Sequence, residues 1–368
     1  MTISADPRRQ ARPGLGQAVR RLAETLASPL VPADYLDLVA PLRTGADLRG
    51  RVVSVTPETA DAATVRIRPG RSWRGHTPGQ YIRIGVDVDG VRLWRAYSLT
   101  SDRTATDGLL SITVKAIPGG VVSNHIVRAL TPGALIHLDQ AAGDFVLPEP
   151  RPERILFVTA GSGLTPVLGL LQNHRAELAD VVVVHSAPTP EDVLCASVLR
   201  DWARTGSIRL VERHTTTQGI LTPPELDTLV PDWRDRETWA CGPTALLDAL
   251  EAHWAGAGLA DRLHTERFRA TVVAEGEGGT VTFTGPGTVV EADGGTPILD
   301  AAEDAGVLMP SGCRMGICFG CVLPLRRGSV RDLRDGQLTT AHEGDSIRIQ
   351  TCVSAAAGDC EINLTGRS

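Results

Sequence analysis

Cys313-Arg314-Met315-Gly316-Ile317-Cys318-Phe319-Gly320-Cys321, completed by Cys352 further along the chain, is the stretch on which the fold reading turns. Four residues separate the first two thiols and two separate the next pair. That is the C-x4-C-x2-C…C spacing of a plant-type [2Fe–2S] cluster. Three thiolates that surround one diiron core need a short, tightly turned loop. Gly312, Gly316 and Gly320 permit the backbone angles such a loop requires. The alternating run Ile347-Arg348-Ile349-Gln350 predicts a strand that carries Cys352 back to the same place. Two other uses of the thiols compete. A structural zinc site favours paired C-x2-4-C knuckles, and only Cys318 and Cys321 form such a pair. A dithiol couple on those two residues would leave Cys313 and Cys352 without a role.

Before the loop, Thr280–Phe283 and Thr288–Glu291 predict a hairpin and Ile298–Ala305 a short helix, so residues 280–368 form one unit. Glu275-Gly276-Glu277-Gly278-Gly279 reads as a flexible polar linker, spanning 271–279. Upstream, 150–270 alternates strand and helix: Ile155–Thr159, a glycine-rich turn, Val167–Leu171, then the apolar run Val181–Val184 and strands at Ser207–Val211 and Glu237–Cys241. That alternation predicts a parallel, doubly wound sheet. From 48 to 149 the elements are short β-rich runs at Val52–Val55, Thr64–Ile67, Tyr81–Ile84 and Leu110–Val114, with Gly, Pro and Asp turns between them, which predicts a small barrel. Residues 1–47 hold a polar tail and then Val19, Leu22, Leu26 and Leu30 at helical spacing.

Gly161-Ser162-Gly163-Leu164-Thr165-Pro166 lies where a strand feeds a helix, a place whose exposed N–H groups favour phosphate. It is not the full G-x-G-x-x-G fingerprint, and turn glycines are common. Cys241-Gly242-Pro243-Thr244 marks a second such junction, at the carboxyl edge where open α/β sheets bind ligands. In the barrel, Arg95-Ala96-Tyr97-Ser98 combines a guanidinium, an aromatic face and a hydroxyl, and Gly119-Gly120-Val121-Val122-Ser123-Asn124 is a glycine turn entering a short helix, a second anion site. Either could be ordinary strand and turn. Together, ahead of a nucleotide unit, they point to flavin.

The totals set bounds. A chain of 368 residues suggests two or three domains of roughly 100–200 residues each. A net charge of −6 argues against nucleic acid as a partner. No apolar run approaches the roughly 18–20 residues of a membrane span, and Met1–Arg9 lacks a signal peptide's apolar region. Seven cysteines, four of them assigned to iron, fit a reducing, cytoplasmic interior.

R-x-Y-S at Arg95–Ser98, G-x-x-S at Gly120–Ser123, G-S-G-x-T-P at Gly161–Pro166, C-G-P at Cys241–Pro243, H-x-E-x-F at His264–Phe268 and the four cysteines occur in one order. In this the chain resembles ferredoxin–NADP reductase superfamily flavoproteins with a C-terminal plant-type ferredoxin domain. The resemblance covers about residues 48–368. It implies an antiparallel flavin-binding β-barrel, an α/β doubly wound nucleotide-binding domain and an α+β (β-grasp) ferredoxin domain. It also implies roles. Tyr97 would stack on the isoalloxazine, Ser98 would bond near its N5, Arg95 would meet the flavin phosphates and Lys115 would border the pyrimidine edge. Gly120 and Ser123 would hold the pyrophosphate, favouring FAD. Gly161, Gly163, Thr165, Cys241, Gly242 and Pro243 would form the NAD(P)H site, with Thr165 and Cys241 flanking the nicotinamide and Glu266 near the flavin. Ser98, Cys241 and Glu266 are the catalytic candidates, and Cys313, Cys318, Cys321 and Cys352 the iron ligands.

The wording of the loop and the N-terminal segment resemble reductases that feed oxygenases and membrane-bound acyl-CoA desaturases. The implied activity is transfer from NAD(P)H through FAD and a [2Fe–2S] cluster to such a protein, which would also bring the chain to a membrane surface. The alternatives are an NAD(P)H:flavin or quinone reductase with a small-molecule acceptor, and a low-turnover redox sensor. No arginine follows the second nucleotide-domain strand, where His185-Ser186-Ala187-Pro188-Thr189 stands. Arg213 and His214 are the substitutes for meeting a 2′-phosphate, and NADH against NADPH stays open. Asp300, Glu303 and Asp304 offer either an acidic face for a basic partner or a solvated one.

Overall fold

The computed structural model describes residues 40–364 except 44–46, 89, 269–273, 312, 313, 315, 317, 318 and 346. The helix expected around Val19–Leu30 lies outside the described residues, as do Cys313 and Cys318. Three sheets follow one another along the described chain.

The first comprises β1 (Arg49–Thr59), β2 (Ala62–Pro69), β3 (Tyr81–Val88), β4 (Val91–Ser98), β5 (Leu110–Lys115) and β6 (Leu135–Leu138). The order is β4-β3-β6-β1-β2-β5, with every pairing antiparallel. A bridge between Leu99 and Ile112 joins the two outer strands and closes the barrel. Period-2 burial drives it: Val65 and Ile67 point inward, while Arg66 and Arg68 point out. Helix α1 (Val121–Arg128) adds Val122 and Ile126 to the same core.

The second comprises β7 (Arg154–Ala160), β8 (Asp180–Ala187), β9 (Arg209–His214), β10 (Glu237–Cys241) and β11 (Leu263–Glu266). All are parallel, in the order β11-β10-β7-β8-β9. Helices α2 (Leu164–His174) and α3 (Ala196–Arg204) cover one face, and α4 (Thr244–Gly256) covers the other. The near-continuous apolar strands follow from burial on both faces. Strand order reverses between β7 and β10, so a crevice opens at their carboxyl ends.

The third sheet is mixed: β12 (Gly279–Thr284), β13 (Thr288–Ala292), β14 (Val322–Asp332), β15 (Leu338–Ala341), β16 (Ile347–Gln350) and β17 (Ser354–Asn363), with β12 and β17 parallel. Helix α5 (Ile298–Asp304) buries Ile298, Leu299 and Ala302 against it. The segment expected to be a flexible linker is partly built into this unit. The Gly276 and Gly278 amides donate to Gly294 O and Ala356 O. A side chain at Gly276 would meet Ala356 O at 2.2 Å, so these glycines permit close packing rather than slack. Among the described residues no helix is long and apolar enough to cross a membrane.

Candidate redox site

The expected iron ligands that are described come together through strand register. Val322 of β14 pairs with Gln350 of β16. This places the residue before one strand beside the turn that follows the other, and Cys321 and Cys352 Sγ lie 3.2 Å apart. Thr351 Oγ1 donates to Cys321 O at 3.0 Å, pinning the same corner. Both thiols are buried. Of the described loop residues, Arg314, Gly316 and Phe319 take left-handed φ angles of 61°, 73° and 56°. Two of these three are not glycines, which the glycine pattern did not anticipate.

Strand β4 carries the flavin candidates. Ser98 is buried, and its Oγ has no hydrogen-bond partner. A buried hydroxyl left open is costly unless a ligand meets it, so the site fits a group with a polar edge, as flavin has. Burial pushes the Tyr97 phenol well above its usual range. Arg95 Nη1 donates to Trp94 O at 2.7 Å and to Ser311 Oγ at 3.3 Å, and Nη2 lies 3.5 Å from Glu303 Oε2. The guanidinium expected to meet phosphates thus reaches the third sheet's unit. Lys115 Nζ is 2.8 Å from Asp61 Oδ1.

Gly120 caps α1 without a side-chain cap, leaving that helix start to its own amides. Ser123 Oγ accepts from Ile117 N and donates to Gly120 O, both at 3.3 Å. Asn124, which closes the stretch read from the sequence as a glycine turn but was given no role of its own, holds the turn more firmly, with Nδ2 donating to Ile117 O and Gly120 O at 2.8 Å.

In the crevice, a Cβ on Gly163 would lie 2.1 Å from Cys241 O. The G-S-G turn after β7 therefore touches the end of β10, and only glycine permits it. Thr165 Oγ1 donates to Ser162 O at 3.0 Å, bracing the turn. Cys241 pairs in register with Glu266. Burial raises the Cys241 thiol well above its ordinary value, and neighbouring Glu266 adds to that. Burial also pushes the Glu266 carboxyl up to about 8, and its Oε2 has no partner. Glu266 is thus a neutral acid at pH 7. Beside them, Thr159 Oγ1 and His185 Nδ1 lie 2.8 Å apart, a buried pair that the sequence did not advertise.

Helix α2 joins crevice to barrel. A Cβ on Gly169 would lie 2.3 Å from Leu99 O, next to Ser98. One turn on, Asn173 Nδ2 donates to Ser101 O at 2.9 Å, and its Oδ1 accepts from Arg103 N at 2.9 Å. Arg213, the expected substitute for 2′-phosphate recognition, is already engaged. Nε donates to Gly219 O at 3.0 Å, and Nη2 reaches Gln218 O at 2.5 Å and Glu225 Oε1 at 2.9 Å. The acidic helix face is engaged as well: Asp300 and Glu303 pair with Arg314.

Comparison with known proteins matches residues 50–147 to the oxidoreductase FAD-binding domain and 281–357 to the 2Fe-2S iron-sulfur cluster binding domain. The chain is 48% identical over 354 residues to an NADPH oxidoreductase of Mycobacterium tuberculosis (strain ATCC 25618 / H37Rv), covering 94% of this chain and 92% of that one. It is 32% identical to the ferredoxin reductase component of 3-ketosteroid-9-alpha-monooxygenase from Mycolicibacterium smegmatis, covering 77% and 83%. Its fold is that of phthalate dioxygenase reductase, with a TM-score of 0.59 over 86% of this chain and 97% of that one at 23% identity. The chain therefore belongs to the ferredoxin–NADP reductase superfamily, as an FAD-binding oxidoreductase with a C-terminal [2Fe–2S] domain.

Proposed function

We propose that this chain is the reductase component of an oxygenase system, taking hydride from NAD(P)H and delivering electrons singly to a protein acceptor. The observation that carries this reading is the position of β4. Arg95 hydrogen-bonds to Ser311 at the start of the cluster loop, and Leu99, directly after the strand, packs on Gly169 of α2. One strand of the flavin barrel thus touches both the nucleotide unit and the iron–sulfur unit.

The roles follow from the chain's own groups. Thr165 and Cys241 would flank the nicotinamide, with Gly161, Gly163, Gly242 and Pro243 keeping the crevice narrow. Glu266, neutral at pH 7, adds no charge that would repel a hydride's electron pair. Tyr97 would cover the isoalloxazine, and Ser98 would offer its open hydroxyl to the ring edge. Gly120, Ser123 and the start of α1 would hold the pyrophosphate, and Lys115, steadied by Asp61, the pyrimidine edge. Cys313, Cys318, Cys321 and Cys352 would bind the cluster. Bound flavin supplies the conversion of one two-electron delivery into single-electron departures. The bounds 48–149, 150–270 and 280–368 belong to the same proposal.

An oxygenase is favoured over a membrane-bound desaturase as acceptor, because several relatives are named as reductase components of monooxygenases. Replacing Cys318 by Ser tests the exit route. Cytochrome c reduction is lost while ferricyanide reduction persists. Equal rates with both acceptors in that variant would point to a small-molecule reductase, and slow flavin reduction by either nicotinamide to a sensor.

A further inference from the structure

Glu303 stands near the end of α5, ahead of the cluster loop. Its Oε2 accepts from Arg314 Nη2, and Arg95 Nη2 of the flavin barrel lies 3.5 Å from the same oxygen. Arg314 extends its other arm to Asp300 Oδ1 at 2.5 Å. The side chains of Arg95, Glu303 and Arg314 are 20%, 25% and 23% exposed, and Glu303 Oε1 is buried without a partner. The carboxylate is part-exposed, but its buried Oε1 has no partner of its own, so the two guanidiniums on Oε2 are what hold it in place. Arg314 meanwhile holds a left-handed backbone angle between two expected iron ligands, a conformation that L-residues avoid unless their surroundings enforce it.

We propose that Glu303 is a positioning residue. By sharing one carboxylate between Arg95 and Arg314, it fixes the cluster loop against the flavin barrel and so sets the arrangement from which flavin passes electrons to iron. This rests on the functional reading above. Glu303 itself exchanges no electron or proton; bound flavin and cluster would supply the electron transfer, and Glu303 would act only on their relative placement. The same contacts tie Asp300 and Glu303 to Arg314 of the chain's own cluster loop.

The test uses holoprotein carrying flavin and cluster, with Glu303→Gln compared with Asp304→Asn, an exposed neighbour on the same helix. Under anaerobic stopped flow, Glu303→Gln leaves flavin reduction by NAD(P)H unchanged. It slows cluster reduction by roughly 3- to 10-fold, as expected for a part-exposed charge-assisted contact. Hydrogen exchange over residues 91–98 and 298–311 rises in the same variant, with or without flavin. Asp304→Asn changes neither readout. If Glu303→Gln folds poorly, Glu303→Asp keeps the charge, shortens the reach and gives an intermediate effect. Unchanged cluster reduction and unchanged exchange in the Glu303 variants overturn the proposal. Failure of the unmodified holoprotein to reduce its cluster with NAD(P)H would instead overturn the functional reading, and the exchange comparison would still judge Glu303.

Discussion

Gly169 of α2 abuts the carbonyl of Leu99, with room for no side chain: an added Cβ would lie 2.3 Å from the oxygen. This contact seats the helix that begins at the nucleotide turn directly beside Ser98. Alanine is a better helix former than glycine by about 1 kcal/mol, so intrinsic propensity favours Gly169→Ala. The structure predicts the opposite outcome. Overpacking costs about 1–3 kcal/mol. A displacement near 1 Å between nicotinamide and flavin sites lowers flavin reduction by on the order of 100-fold. Thermal unfolding and stopped-flow reduction check both; a variant that is more stable and equally fast refutes the contact's role.

Ser98→Ala separates folding from binding. The hydroxyl makes no hydrogen bond within the chain, so its loss should leave the stability of the flavin-free protein unchanged or raise it by about 1 kcal/mol. Flavin reduction by NAD(P)H should fall by about 10- to 100-fold if that hydroxyl serves the ring. Equal stability loss and rate loss would mean a purely structural serine.

Much of this was legible because the signals were local. Cysteine spacing is a constraint of covalent reach, and the register of β14 with β16 delivers Cys352 to Cys321 as the alternating run implied. The β7–turn–α2 unit was legible for the same reason. Strand β4 was less so, because its sequence Val-Arg-Leu-Trp-Arg-Ala-Tyr-Ser carries Arg95 on a surface that the iron–sulfur unit covers. Contacts between units escaped altogether. Asn173 meets Ser101 72 positions away and Arg95 meets Glu303 208 positions away, so no periodicity can announce them. The acidic helix and Arg213 looked available for partners only because their internal cations and anions were out of view.

Glu266 ties stability to pH. Burial raises its carboxyl from 4.5 to about 8, so the folded chain keeps a proton that the unfolded chain releases between those values. The stabilisation is complete below pH 4.5, declines as pH rises through the interval and is gone above about 8. Glu266→Gln mimics the protonated form and removes this decline. Melting temperatures measured from pH 5 to 9 should show the variant gaining on the unmodified protein as pH rises, with flavin reduction at pH 7 preserved. A constant difference across that range would show that Glu266 does not titrate there.

Arg213 provides the last check, on nucleotide choice. Its guanidinium is held by Gly219 O, Gln218 O and Glu225, and its side chain is only 16% exposed. A cation so engaged braces the loop after β9, and it could meet a 2′-phosphate only by giving up those partners. Arg213→Ala should therefore lower the melting temperature through the lost bracing of that loop, by only about 1 kcal/mol because water can reach the released carbonyls. The ratio of kcat/KM for NADPH over NADH should move by less than about 5-fold, below the 1.4 kcal/mol that a tenfold change represents. A collapse of that ratio at unchanged stability would show instead that Arg213 leaves Glu225 for the phosphate when the nucleotide binds.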